Sequence, residues 1–164
     1  MSREFGSFGE FALHLAGLQV AAVSALENGL DKSIALIERD ARAEFGEYQG
    51  AVGPHPAWPE LADSTKENRV SQGYTENDPL LRSGHLRDQT QREREGLVGV
   101  VGNTDPVMAY QEFGTSKIPA RPVYGPALYK NIDNIQRLAG SAIATGLFGE
   151  EEIHPNLGYT QIIP

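Results

Sequence analysis

From Phe8 to Phe45 the apolar residues Phe8, Phe11, Leu15, Leu18, Ala22, Leu26, Leu30, Ile34, Ile37, Ala41 and Phe45 recur at three- and four-residue steps. That is the period of a one-sided helix, and a stripe this long must lie against something, so it constrains everything else the chain builds. Asn28-Gly29 interrupts the run and Asp31 is a capping residue. The expectation is therefore two helices, or one with a kink, the second running from about Asp31 to Phe45. Glu27, Asp31, Glu38, Asp40 and Glu44 make the polar side acidic. Anionic lipid would repel such a face, so the stripe reads as core or subunit packing rather than a membrane-surface helix. No unbroken apolar run approaches the roughly 18 residues that span a bilayer. The start, Met-Ser-Arg-Glu-Phe, has no basic region followed by an apolar block, so no signal peptide is expected.

Residues 50–79 change character, with Gly50, Gly53, Pro54, Pro56, Pro59, Gly73 and Pro79 punctuating a polar loop. A short helix is expected over Pro59–Val70, with Leu61 and Thr65 near the face of Trp58, and Trp58 anchoring the loop on the core. After the Ser83-Gly84 turn, Leu86–Gln91 and Leu97–Gly102 read as two strands joined by the polar turn 92–96. The second strand, Leu-Val-Gly-Val-Val-Gly, is apolar on both faces and is expected to be covered twice, with Gly99 and Gly102 marking close approach or a bulge. Val107–Phe113 reads as a short helical turn. A second long helix is expected from Pro126, carried by Leu128, Ile132, Ile135, Ala139, Ala142 and Ile143 and ended by Gly146 and Gly149. The last residues begin with the solvated acidic run Glu150-Glu-Glu152 and finish apolar with Tyr159, Ile162 and Ile163.

The fold class is thus α+β: a small antiparallel sheet packed by a long N-terminal helix and a C-terminal helix, with long loops. One domain is expected over residues 1–149, followed by an extended C-terminal arm over 150–164.

Between the strands and the last helix lies the stiffest part of the chain, Tyr110–Leu128. Gly114 follows Phe113 where a left-handed backbone is expected. Pro119 and Pro122 fix φ and remove two amide donors, so the segment between them runs extended outside any central strand. Arg121, a planar five-donor fork between these prolines, reads as structural, holding backbone carbonyls or a neighbour.

Charge and composition exclude several classes. A net charge of −8 argues against wrapping nucleic acid, which relies on clustered Lys and Arg. The one basic group, Arg82, His85, Arg87, Arg92 and Arg94, is diluted by Asp88, Glu93 and Glu95. With no cysteine, disulfides, thiol nucleophiles and thiolate metal sites are out. No phosphate-binding Gly-rich loop with a following Lys, G-x-S-x-G elbow or H-E-x-x-H stands in the sequence, and His14, His55, His85 and His154 have no ligand spacing. No catalytic residue, cofactor or metal is expected, and the chain reads as a non-enzyme.

Three runs carry a resemblance. Tyr110-x-Glu-Phe-Gly-Thr115 continues into Pro119-Ala-Arg-Pro122 and Pro126-Ala-Leu128. Leu81-x-Ser-Gly-x-Leu-Arg87 stands upstream, and Trp58-Pro-Glu-Leu61 with Thr65 further upstream. Taken along the chain over residues 58–128, these runs resemble the neck or tail-completion proteins of long-tailed bacteriophages, and Trp58-Pro-Glu-Leu61 with Thr65 is similar to the related virion-morphogenesis proteins of Mu-like phages. Tyr124 departs from the pattern, standing where a large apolar residue, often Leu, is usual.

The resemblance implies a structural virion protein of the head–tail junction, assembled in the host cytoplasm. Copies would close into a ring, a hexamer or a dodecamer, between head-completion or connector proteins and tail-terminator or tail-tube proteins. DNA would pass only as cargo, and no membrane would be involved. A heterologous ring needs two different patches. One is expected at Glu112, Phe113, Gly114, Thr115, Pro119, Ala120, Arg121 and Pro122, the other at Tyr159, Ile162 and Ile163, with Trp58, Leu61, Gly84 and Leu86 as structural anchors. A tail terminator or other minor tail protein is the alternative, and a small phage-encoded hydrolase the third.

Overall fold

A computed structural model describes residues 4–148. The order is α1 (Phe8–Ala43), α2 (Asp63–Ser71), α3 (His85–Asp88), β1 (Gln91–Glu95), β2 (Val98–Gly102), α4 (Pro106–Phe113) and α5 (Tyr124–Phe148). The architecture is α+β, with a two-stranded antiparallel sheet and long N- and C-terminal helices. The expected arm, with Tyr159, Ile162 and Ile163, lies outside the described residues.

Two compact units divide the chain. One draws on residues up to Ser33, on Gly96–Val98 and on residues from Asp133 onward; the other on Ile34–Glu95 and Gly99–Ile132.

In the first unit, α1 begins with a reciprocal cap: Ser7 Oγ accepts from the Glu10 amide at 3.2 Å while the Glu10 carboxylate accepts from the Gly6 amide at 2.8 Å. The helix then runs through Asn28-Gly29 without a break, where two helices or a kink were open. Gly29 is a packing device instead. A Cβ there would lie 3.2 Å from Ala142 Cβ and 3.4 Å from the Leu138 carbonyl oxygen on α5. The roughly 1 kcal/mol cost of a mid-helix glycine is offset by this close antiparallel approach. A Cβ on Gly146 would likewise collide with the Ala22 backbone. By length and composition α1 could also cross a membrane. Its apolar residues form no unbroken run, because His14, Gly17, Gln19 and Ser24 interrupt the stretch.

The second unit holds the main core: Ala41, Phe45, Trp58, Met108, Val123 and Ala127, with Leu80, Leu81, Leu86 and Tyr124 packed against it. Here three expectations are corrected. Leu86–Gln91 is not a strand. Gly84, at φ +85°, turns the chain into the single helical turn α3, and the Thr90 hydroxyl returns to the Leu86 carbonyl. The first strand is instead the charged run Arg92–Glu95 with Gln91, and the turn falls at Gly96, φ +56°, which suits a two-residue hairpin loop. An alternation of Arg and Glu tolerates a strand because β1 is exposed along its whole length, with Arg92 paired to Glu38. Nor is β2 covered twice: Val98 and Val100 are 65% and 60% exposed, and nothing approaches a Cβ placed on Gly102.

The short helix α2 starts at Asp63, not Pro59, because the carbonyls of Pro59 and Glu60 are claimed by Arg121. α4 makes two turns, with Asp105 accepting from the Val107 amide as N-cap and Pro106 in the first turn.

Candidate interaction site

The site is built on the turn between α4 and α5, all of it within the second unit. Gly114 ends α4 at φ +73°, ψ 176°. A Cβ there would lie 2.9 Å from the Ala120 amide nitrogen and 3.0 Å from the Ile118 carbonyl oxygen, because the loop doubles back against it. The positive φ was expected. The ψ was not: this is the extended mirror region that glycine alone adopts readily, rather than the left-handed helical region that Asn tolerates. Thr115 closes the loop, its amide donating to the Ile118 carbonyl at 2.8 Å and its Oγ1 accepting from the amides of Lys117 and Ile118.

Glu112 explains the distance between the two halves of the motif. Its carboxylate accepts from the amides of Val123 at 2.7 Å, Gly125 at 3.2 Å and Tyr124 at 3.3 Å. These are orphan donors at the start of α5, where a negative charge also meets the positive end of the helix dipole. The cap sets the first turn two residues ahead of the expected start at Pro126.

Arg121 and Trp58 lock this turn to the loop before α2. Arg121 donates through Nε and Nη2 to the Pro59 carbonyl, at 3.2 and 2.9 Å, and through Nη2 to the Glu60 carbonyl at 3.0 Å. In return, Trp58 Nε1 donates to the Pro122 carbonyl at 3.0 Å. Two extended segments carrying Pro59 and Pro122 lack the amides that strands would use, so side chains supply the donors. Both side chains are buried, and burial pulls the Arg121 pKa below its ordinary range while the guanidinium stays charged. Leu61 is half-buried, and Leu86 packs on the core beside Trp58.

The expected interface residues therefore divide. Arg121 and Pro122 are buried, and Glu112, Gly114 and Ala120 are half-buried, so these build the turn. Phe113, at 82% exposed, with Thr115 and Pro119, faces outward. The Tyr124 ring packs on the core and its hydroxyl meets Thr90 Oγ1 at 3.2 Å.

Beside the turn runs a groove of about 450 Å³ that the sequence did not disclose. Leu61, Leu80, Leu86, Val107 and Ile118 give it an apolar floor, and Arg69, Arg82, Lys117 and Arg121 give it four cations. Arg69 is buried, donating to the Thr75 and Leu81 carbonyls at 2.7 and 2.8 Å. Arg82 stacks over the Tyr74 ring, 4.9 Å from its centroid, and donates to Gln72. Among the described residues none of the four cations pairs with a carboxylate; Glu60, also on the groove, is held by Lys66 at 3.3 Å. The Gln111 side-chain oxygen on the same groove is buried with no partner among the described residues. The signal that could have located the groove is the run of cations flanking prolines and turns, but spacing alone does not bring Arg69 to Lys117.

A second polar cluster was also missed. Glu44, expected on the polar side of α1, is buried, and burial pushes its carboxyl up to about 7 although the Lys130 ammonium sits 3.0 Å away. Its second oxygen finds no partner among the described residues. Asn131 bridges the same region, donating to Asp40 at 2.7 Å and to the Ala127 carbonyl at 2.9 Å. No group of acids and histidines that could hold a metal ion occurs among the described residues.

No family model, no curated protein and no solved structure matches the chain.

Proposed function

We propose that the chain is a structural protein of the bacteriophage head–tail junction, a neck or tail-completion protein whose copies form a ring joining the tail to the DNA-filled head. One observation carries the reading: the three runs that bear the resemblance interlock around one core. Trp58 of the first donates to Pro122 of the third, Arg121 of the third donates to Pro59 and Glu60 of the first, and Leu86 of the second packs on the same cluster. Around this scaffold the turn presents Phe113 and Pro119, an apolar edge suited to a neighbouring subunit.

The test is a nonsense mutation in the gene within the phage that encodes it. Filled heads and finished tails should accumulate unjoined, and added protein should join them. Joined particles at normal yield, or purified virions without this protein, overturn the proposal.

A further inference from the structure

We infer that the cationic groove takes the acidic C-terminal segment of a second copy of this chain, with Glu150, Glu151 and Glu152 on the cations and the following Ile153 on the apolar floor. In a chain of net charge −8, four cations line one groove and none has a carboxylate partner among the described residues. Two of them, Arg69 and Arg121, are buried and donate to neutral oxygens, the carbonyls of Thr75, Leu81, Pro59 and Glu60 and the Thr75 hydroxyl. A buried guanidinium bonded only to neutral oxygens still attracts an anion. The chain's densest acidic run, Glu150–Glu152, lies in the sixteen residues beyond Phe148 and is followed by an apolar residue, matching the groove's order of cations beside an apolar floor.

The occupant comes from another copy because of chain length. Arg121 stands three residues ahead of α5, whose 25 residues rise about 37 Å. Glu150 and Glu152 follow the end of that helix by only two and four residues, a reach of at most roughly 14 Å. A tail that leaves one end of α5 and binds near the other end of a neighbour's α5 is a head-to-tail contact, which generates a ring if the rotation closes. This deepens the ring-forming reading and rests on its self-association, not on its place in a virion.

The test uses full-length protein carrying Glu150→Lys, Glu151→Lys and Glu152→Lys, which cannot supply its own acidic segment, and a fluorescent peptide of residues 149–164 as probe. The expected result is saturable binding that weakens with added salt and falls at least roughly tenfold when Arg82→Glu and Lys117→Glu, both exposed, are added. Wild-type protein should sediment as an oligomer and the triple-lysine protein as a smaller species. No peptide binding, equal binding with and without the groove charges, or a wild-type monomer at concentrations that bind the peptide overturns the inference. None of these outcomes touches whether the protein belongs to virions, which the nonsense mutation reads separately.

Discussion

The two units use the same two long helices in opposite ways. In the unit built on Trp58, the core is small, and much of the specificity comes from side chains that reach far along the chain to backbone carbonyls: Trp58 to Pro122 and Arg121 to Pro59. In the unit that holds the start of α1, the helices touch through Gly29, Gly146, Ala22 and Ala142, while Phe8, Leu13 and Val20 stay 84%, 76% and 68% exposed. One region is locked by polar groups in a dry setting, and the other brings backbones together and leaves its large apolar side chains outward. The difference teaches that apolar periodicity predicts a helix but not which residues of the stripe the chain itself covers.

The comparison breaks first at Trp58. Trp58→Ala should cost roughly 3–5 kcal/mol, since it empties the core and strands the Pro122 carbonyl, and a urea titration of the purified chain would show it. An effect under about 1 kcal/mol would mean the second unit is not organised around this indole.

Glu44→Gln should act in the other direction. Because burial raises the Glu44 carboxyl from its ordinary 4.5 to about 7, its contribution favours folding below pH 4.5 and is lost as pH rises through 7. The variant should therefore be more stable than wild type at pH 8, by an amount with a ceiling of roughly 3 kcal/mol, and close to it at pH 4. Thermal melts across that window check it; a constant difference at all pH values would assign the effect to packing.

Arg121→Ala should cost roughly 1–3 kcal/mol by leaving the Pro59 and Glu60 carbonyls unmet, and Arg121→Lys should recover only part, because an ammonium lacks the fork. Full recovery by lysine would show that charge, not geometry, holds the two proline segments together.

The smallest effect is expected in the other region. Leu13→Ser with Val20→Ser should change the stability of the isolated chain by no more than about 0.5 kcal/mol. A larger loss, read in the same urea titration, would mean that these side chains are covered when the chain is alone.

How far the sequence disclosed this structure follows from the physics of each signal. The helices were legible because their period repeats over many turns, Gly114 because glycine alone takes a positive φ freely at a helix end, and Arg121 because the flanking prolines restrict its segment to few conformations. The second strand was placed correctly, but the first was displaced by several residues because Arg92–Glu95 looks like a turn by polarity, whereas a strand exposed along its whole length is under no hydrophobic demand. Val98 and Val100 misled in the converse way, being apolar yet exposed. The groove and the Glu44–Lys130 pair were illegible because they join residues whose proximity only the finished fold decides.

The Glu112 cap has a consequence for the order in which the chain folds. Its bonds to Val123, Tyr124 and Gly125 span 11 to 13 residues, while those of Trp58 and Arg121 span more than 60. Short loops close at low entropic cost and rapidly, so α4, its turn and the first turn of α5 are positioned to form as one early unit, onto which the Trp58 segment docks later. Removing the Glu112 carboxylate would then be felt mainly as slower folding, and cutting Trp58 or Arg121 mainly as faster unfolding.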